Sequence, residues 1–207
     1  MNLLAIDRST DTQSVALAVD GKVTASRVFA GSDARSGDWP VKVRGFLSAQ
    51  GLAPADLDEI VVGQGPGSFA GIRAALAFAQ GLAIPGEGGR RVRGLPSTLA
   101  LTRDGARTAV VGDARRGLFW VVIYDGVERV KDFTLVPKEG LGNAVPEHFA
   151  VVTPDGARIE PLLQSVFAHH YKGSMTPLAA RLAEVAVSRS DLLVDEPLPI
   201  YLQPPVK

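Results

Sequence analysis

The stretch Gly63-Gln-Gly-Pro-Gly-Ser-Phe-Ala-Gly71 joins an apolar run, Glu59 to Val62, to an alanine-rich segment at residues 69–84. Glycines at its first, third and fifth positions allow tight turns with positive φ, and Pro66 fixes one φ at about −65°. Ser68 stands where it can cap a following helix. The pattern therefore predicts a strand, a sharp corner and a helix. The residues assigned to this structural loop are Gly63, Gly65, Pro66, Gly67 and Ser68.

Glycine loops that open a helix also suit phosphate binding, because free amides and the helix dipole favour an anion. The spacing Gly65-x-Gly67-x-x-Ala70 matches a loose dinucleotide fingerprint. That fingerprint needs an acidic residue about 20 positions later at a strand end, and the nearest candidate, Glu87, lies in a Gly-Pro turn. No Gly-Lys-Ser/Thr follows the loop. We therefore favour a structural corner over a phosphate cradle.

A second phosphate-binding candidate lies after the first predicted strand, where Asp7 is followed by Ser9 and Thr10. A carboxylate there can hold a hydrated metal ion while the two hydroxyls contact a phosphate. The alternative is a hydrogen-bonded polar turn, which we favour because the second half shows no matching loop. The sequence leaves both interpretations open.

The composition is that of a globular protein without bulk charge. Among 207 residues, 22 Lys and Arg balance 22 Asp and Glu, so net charge predicts neither nucleic-acid nor membrane binding. With no cysteine and three histidines, a metal site is not expected, and we assign no cofactor and no catalytic residue to this chain. No signal-peptide pattern or membrane-length apolar run occurs, so we expect a cytoplasmic protein.

Hydrophobic periodicity predicts an α/β chain with a boundary near residues 102–105, which gives a first lobe of residues 1–103 and a second of residues 104–207. Each lobe begins with strands in a meander. The predicted strands are 3–6, 14–19, 22–29, 59–62, 91–94, 108–111, 118–124, 130–135 and 150–152, and the predicted helices are 39–50, 69–84, 97–101 and 177–188, the last closing the second lobe.

The helices at 39–50 and 69–84 are predicted to form a surface that pairs with a homologous protein. The second helix carries a stripe of small residues, which allows close approach of another helix. Apolar surface of this kind also favours self-association, so we expect a homodimer in isolation. The predicted interface residues are Trp39, Val43, Phe46, Leu47, Ala70, Arg73, Ala74, Ala77, Phe78 and Gly81.

Two further chemical signals are weaker. A hydrolase would use Ser68 with His169 or His170, but the glycines of a nucleophile elbow are missing around Ser68. Two basic groups are either solvated turns or contact points for a phosphate or an acidic partner surface. These groups are Arg115 with Arg116, which follow Asp113, and Arg90 with Arg91 and Arg93.

Four motifs together resemble the bacterial TsaB (YeaZ-type) family, in that family's order and spacing. They are Leu-Ala-Ile-Asp-x-Ser-Thr (4–10), Gly-x-Gly-Pro-Gly-Ser-Phe-x-Gly-x-Arg (63–73), Asp113-Ala-Arg-Arg-Gly117 and Pro199-Ile-Tyr-Leu202. Three features depart from the family pattern, and one is the loop Gly31 to Asp38, which lacks the polar His-Ser pair often found before the first helix. Ala70 stands where the family usually has Thr, and Arg8 stands where Thr is common.

The resemblance implies a two-lobed fold of the actin-like ATPase superfamily, which includes sugar kinases and chaperone ATPases, with RNase H-like lobes and a reduced second lobe. It implies a non-catalytic subunit that supports a TsaD-type catalytic subunit, together with a TsaE-type ATPase. Together these subunits form threonylcarbamoyladenosine beside the anticodon of tRNA. This chain would contact tRNA only through the complex. ATP or ADP and Mg would then bind only in the assembled complex. The alternative is a stand-alone nucleotide-dependent enzyme or a glycoprotease-like peptidase acting from the first lobe.

Overall fold

The computed structural model describes residues 1–30, 37–84 and 89–202. Glu87, the nearest acidic residue for the dinucleotide fingerprint, therefore lies outside the described residues, as does most of the loop before the first helix. The chain divides into two compact units. The first is Met1–Ala100 with Pro177–Ile200, and the second is Leu101–Thr176 with Tyr201 and Leu202.

The first unit is built on a six-stranded sheet with the order β11-β5-β4-β1-β2-β3. β1 pairs in parallel with β4, which pairs in parallel with β5, and the β1–β2–β3 meander is antiparallel. The strands are β1 (Asn2–Asp7), β2 (Gln13–Val19), β3 (Lys22–Phe29), β4 (Glu59–Gly63), β5 (Arg91–Leu95) and β11 (Val194–Asp195).

Two helices cover one face of this sheet, α1 (Trp39–Ser48) and α2 (Phe69–Ala83). Their apolar residues share a core with the alternate residues of the central strands, as the period-two pattern of a strand requires. A short 3-10 turn at Ser97–Leu101 follows β5. The side chains of this core include Leu4, Ile6, Val15, Leu17, Ile60, Val62, Ile72, Ala75, Leu76 and Ala79.

The second unit repeats the same strand plan, with the order β10-β9-β6-β7-β8. Its β6–β7–β8 meander is antiparallel, and β9 pairs in parallel with both β6 and β10. The elements are β6 (Arg107–Arg115), β7 (Leu118–Asp125), β8 (Glu128–Pro137), α3 (Leu141–Ala144), β9 (Ala150–Thr153), α4 (Gly156–Phe167) and β10 (Tyr171–Ser174).

Three of these elements, α3, α4 and β10, were not predicted from the sequence, and α4 is the longest of them. The helix contains Pro161, which removes one helical hydrogen bond. Because an internal proline is unusual in a helix, the sequence of this segment did not indicate one. Its buried residues Ile159, Leu163 and Phe167 nevertheless recur at four-residue intervals and join the core of the second unit. The packing of this face outweighs the cost of the internal proline.

The predicted closing helix, α5 (Ala179–Ser188), belongs to the first unit rather than the second lobe. It packs on β1, β2 and β3. The backbone N–H of Ala179 donates to Ser14 Oγ of β2 at 2.9 Å, so the cap comes from the sheet and not from Thr176. This buried bond fixes the helix to β2, which explains the correction.

Among the described residues, no helix combines the length and apolar character needed to cross a membrane.

Arg93, predicted as part of an exposed basic group, is instead used inside the first unit. Its Nε donates to Glu59 Oε1, and the Glu59 side chain is only 1% exposed. The hydrogen bond to Glu59 raises the pKa of Arg93. Arg90 is also engaged, because its Nη1 donates to the carbonyl of Leu82 at 2.7 Å.

Replacing Arg93 with Met should destabilise the protein by about 3–5 kcal/mol, because a buried carboxylate then loses its counter-charge. Urea unfolding measures this change. The matched control is the double variant Glu59→Gln with Arg93→Met, which should recover most of the loss. Equal stability of the single and double variants would show that the ion pair does not hold β4 to β5.

Candidate functional site

The centre of the first unit is the carboxylate of Asp7 at the end of β1. Asp7 is completely buried, and its Oδ1 accepts hydrogen bonds from the Ser9 N–H at 2.9 Å and the Ser9 hydroxyl at 2.7 Å. The turn after β1 is thus closed by the side chain of its first residue, as in an Asx turn. Asp7 and Ser9 come together as the sequence predicted, whereas Thr10 bonds locally to Thr12.

The second oxygen of Asp7 lies against the backbone of Gly63 in β4. A Cβ on Gly63 would stand 1.9 Å from Asp7 Oδ2 and 2.6 Å from Ser97 Oγ. Oδ2 makes no hydrogen bond of normal geometry. Burial raises the pKa of Asp7, while hydrogen bonding by Ser97 and Ser9 opposes the rise. Only glycine allows β4 this close to the carboxylate.

The glycine loop packs directly on the turn that Asp7 closes. The Ser68 N–H donates to the Ser9 carbonyl at 2.7 Å. A Cβ on Gly67 would lie 2.0 Å from that same carbonyl oxygen, and one on Gly71 would lie 2.1 Å from the Arg8 carbonyl oxygen. The predicted structural loop is therefore held by close backbone contact.

These contacts bear on the phosphate hypothesis. Ser68 caps α2, since its Oγ accepts from the Gly71 N–H at 3.2 Å. The amides of Ser68 and Gly71 are thus directed at this chain's own oxygen atoms, those of Ser9 and Ser68, and not at an anion. The geometry favours the structural corner over a phosphate cradle. The Gly65–Pro66 peptide bond is cis.

Ser97, which the sequence analysis missed, completes the corner. Its Oγ accepts from the Gly65 N–H at 2.9 Å, and its own N–H donates to the Gly65 carbonyl at 2.9 Å. β4 and β5 are parallel, so their carboxyl ends lie at the same edge of the sheet. A polar residue just after β5 was therefore the available signal.

The C-terminal segment is fastened to the same loop. Gln64 Nε2 donates to the Leu198 carbonyl at 2.8 Å, and the Gln64 carbonyl accepts from the Ile200 N–H at 2.9 Å. A Cβ on Gly94 would lie 2.6 Å from both the Gln64 and Pro197 side chains. The loop thus organises the chain end as well as α2.

The exposed face of α2 carries five of the ten predicted interface residues. Flanking them are two large apolar side chains, Phe69 at 55% and Ile84 at 71% exposed. The Arg73 guanidinium lies 5.0 Å from the centre of the Phe69 ring. Phe78 is half-buried against the core. The exposed predicted residues are Ala70, Arg73, Ala74, Ala77 and Gly81, which we call the α2 stripe.

The predicted interface residues of α1 lie elsewhere, in the core. Their burial between α1 and the sheet puts them out of reach of a partner, so the structure corrects this part of the prediction. The Phe29 ring packs edge-on against the Trp39 ring, with 5.2 Å between the ring centres. The corrected residues are Trp39, Val43, Phe46 and Leu47, all at most 5% exposed.

The second unit has an ionic cluster at the corresponding strand end. Asp113 Oδ2 lies 3.2 Å from Arg158 Nε and 3.4 Å from Arg115 Nη1. Asp155 Oδ2 accepts from the Asp113 N–H at 2.9 Å, and Asp155 Oδ1 pairs with Arg158. Arg115 and Arg116 adopt positive φ. The cluster joins β6 to the start of α4.

The remaining candidate residues are the serine and the two histidines of the hydrolase interpretation. His169 and His170 are exposed in the second unit, while Ser68 serves as a helix cap in the first. Across residues 1–30, 37–84 and 89–202, no three His, Asp or Glu side chains cluster as metal ligands do.

Gly63→Ala should destabilise the first unit by about 3 kcal/mol or more, because the added methyl group overlaps Asp7 Oδ2. Thermal and urea unfolding measure this. The control is Gly45→Ala in α1, where nothing lies within 4 Å and stability should rise by about 0.5–1 kcal/mol. Similar behaviour of the two variants would contradict the packing described here.

The raised pKa of Asp7 predicts a pH dependence of stability. Because the folded-state pKa lies above the ordinary value of 3.8, the folded protein takes up the proton first as the pH falls. The free energy of unfolding of wild type should therefore rise relative to that of Asp7→Asn as the pH is lowered from about 7 to about 4. Urea unfolding of both proteins across this range tests it. A difference that stays constant or moves in the opposite direction excludes a raised Asp7 pKa.

Comparison with known proteins supports one family. The family model "TsaD: tRNA N6-adenosine threonylcarbamoyltransferase" matches residues 40–174. The tRNA threonylcarbamoyladenosine biosynthesis protein TsaB of Escherichia coli is 35% identical over 132 residues, covering 58% of this chain and 54% of that protein. The chain thus spans less than two thirds of the sequence relatives that it matches.

Solved structures show the fold over nearly the whole chain. YeaZ from Pseudomonas aeruginosa is 26% identical with a TM-score of 0.73, covering 97% of this chain and 99% of that one. The ethanolamine utilization protein EutJ from Carboxydothermus hydrogenoformans is 10% identical, with a TM-score of 0.52 and coverage of 90% and 89%. The predicted two-lobed, actin-like ATPase fold is confirmed. By its family model and its relatives, the chain belongs to the tRNA N6-adenosine threonylcarbamoyltransferase family, in its TsaB (YeaZ-type) group.

Proposed function

We propose that this chain is a non-catalytic subunit that supports a TsaD-type catalytic subunit in forming threonylcarbamoyladenosine beside the anticodon of tRNA. The observation that carries the proposal is the α2 stripe, an exposed helix face of four small residues and Arg73 on a chain of the TsaB group. The chain acts by presenting this face to its partner.

The α2 stripe has the features of a helix-packing surface. Ala74, Ala77 and Gly81 leave the helix backbone accessible, so a partner helix can approach closely. Exposed Phe69 and Ile84 add apolar area at the two ends of the helix. A contiguous apolar surface of this kind is typical of a protein-binding face.

The loop before α2 supports a non-catalytic role. Asp7 is buried and bonded within its own turn, so its carboxylate is not presented to a ligand. Ser68 is occupied as a cap. ATP or ADP with Mg, a TsaE-type ATPase and tRNA accordingly belong to the assembled complex in this proposal, and the chain meets tRNA only through its partner.

In isolation, the same face pairs with a second copy of the chain. A two-fold arrangement brings one α2 stripe against another, which makes the contact self-complementary. Homodimer and heterodimer then compete for one surface.

Ala74→Arg or Ala77→Arg should abolish association, because a long charged side chain blocks close helix approach. The expected result is a monomer by light scattering and at least about a hundredfold weaker calorimetric affinity for the TsaD-type subunit. Ser165→Arg, on the exposed side of α4, is the matched control and should change neither. Unchanged size and affinity for the α2 variants would sink the proposed interface.

Reconstitution tests the function itself. The chain, a TsaD-type subunit and a TsaE-type subunit are incubated with tRNA, an activated threonylcarbamoyl donor, ATP and Mg, and the modified nucleoside is measured by mass spectrometry. Product should require the complete mixture, and the chain alone should neither turn over ATP nor cleave peptide. Turnover by the isolated chain would favour the stand-alone enzyme instead.

A further inference from the structure

Arg8 is a half-buried cation that lies over an aromatic ring. Its guanidinium carbon lies 4.7 Å from the centre of the Trp39 ring, so the two side chains are stacked. Its Nε is buried and has no hydrogen-bond partner. Within the described ranges, no carboxylate lies within ion-pair distance of Arg8. Burial alone lowers the pKa of Arg8.

Trp39 supplies a second unsatisfied donor in the same stack. The residue is 3% exposed, and its indole Nε1 has no hydrogen-bond partner. Buried polar groups are nearly always paired, and leaving them unpaired costs free energy. Both donor atoms are buried, so an oxygen-bearing anion can reach the stack only through the part of Arg8 that stays exposed.

The position of Arg8 favours an anion from a protein. Its carbonyl packs against Gly71, in the first turn of α2, so Arg8 adjoins the helix that carries the α2 stripe. The same turn already holds the buried Asp7 carboxylate and directs the Ser9 carbonyl at α2. A doubly charged phosphate would be repelled more strongly by these groups than a single carboxylate.

A carboxylate also suits the chemistry of the stack. The guanidinium fork matches the two oxygens of a carboxylate, and a partly desolvated site strengthens the pair. Arg is among the residue types that most often dominate binding energy at protein interfaces.

We propose that Arg8, stacked on Trp39, binds an Asp or Glu side chain of the protein partner that covers α2. This inference rests on the proposed function and names the chemistry of the partner at one edge of the interface. The isolated chain keeps an unpaired charge that association neutralises.

The test measures affinity for the TsaD-type subunit by calorimetry at several salt concentrations, using full-length wild type, Arg8→Met and Arg8→Lys. Arg8→Met should weaken binding about tenfold or more and reduce the salt dependence, while Arg8→Lys should give an intermediate loss. Arg27→Met is the matched control, because Arg27 also lies over an aromatic ring, Phe29 at 5.1 Å, but is exposed. It should bind like wild type.

Thermal unfolding separates a binding role from a structural one. Arg8→Met should leave the melting temperature of the isolated chain unchanged or raise it, because an uncompensated half-buried charge is removed. A lower melting temperature together with unchanged affinity overturns the proposal. So does inorganic phosphate that binds wild type below millimolar concentration and not Arg8→Met, since the site is then a phosphate site.

The outcomes also separate this inference from the proposed function. If wild type binds the TsaD-type subunit and Ala74→Arg does not, but Arg8→Met binds like wild type, only the Arg8 inference fails. If wild type itself does not bind, both fail.

Discussion

The contact between the Asp7 carboxylate and the backbone of Gly63 determines how the first unit is assembled. One oxygen closes the turn after β1 through Ser9, and the other occupies the space that a side chain on β4 would need. The carboxylate thereby brings the end of β1 to the end of β4. Ser97 adds the end of β5, and the Ser9 carbonyl receives the first turn of α2. Four elements therefore meet around one buried carboxyl group, that of Asp7. This close packing explains why a side chain larger than glycine does not fit at Gly63, Gly67 or Gly71.

This arrangement is consistent with the proposed role of the chain as a non-catalytic subunit that binds its partner through α2. A strand end followed by a glycine loop and a helix is a common phosphate-binding plan. Here the space before the helix is taken by the chain's own turn, so the helix is aimed precisely by backbone contacts and a ligand has little room. What the helix presents to solvent is the α2 stripe, with Phe69 and Ile84 at its ends. A buried corner and an exposed apolar helix are what a subunit that works through association requires.

Local patterns were sufficient for most of the elements and for the glycine corner, because glycine, proline and hydrophobic periodicity act over a few residues. Periodicity identified the apolar face of α1 but could not tell whether a sheet or a partner covers it, so Trp39 was misplaced in the interface. Contacts between distant residues escaped prediction. Ser97 joins the corner through strand pairing, and Ser14 captures the start of α5 from 165 positions away. Helix α4 was hidden by Pro161.

Hydrogen exchange with mass spectrometry tests most directly whether the loop is filled by the chain and the helix is reserved for a partner. In the isolated protein, amides of residues 63–72 should exchange slowly, and ATP with Mg should not change their rate. Adding the TsaD-type subunit should slow exchange along residues 69–84, because a docked partner suppresses opening of the helix. Protection of residues 63–72 by ATP and Mg alone, without an effect of the TsaD-type subunit on α2, would contradict the account.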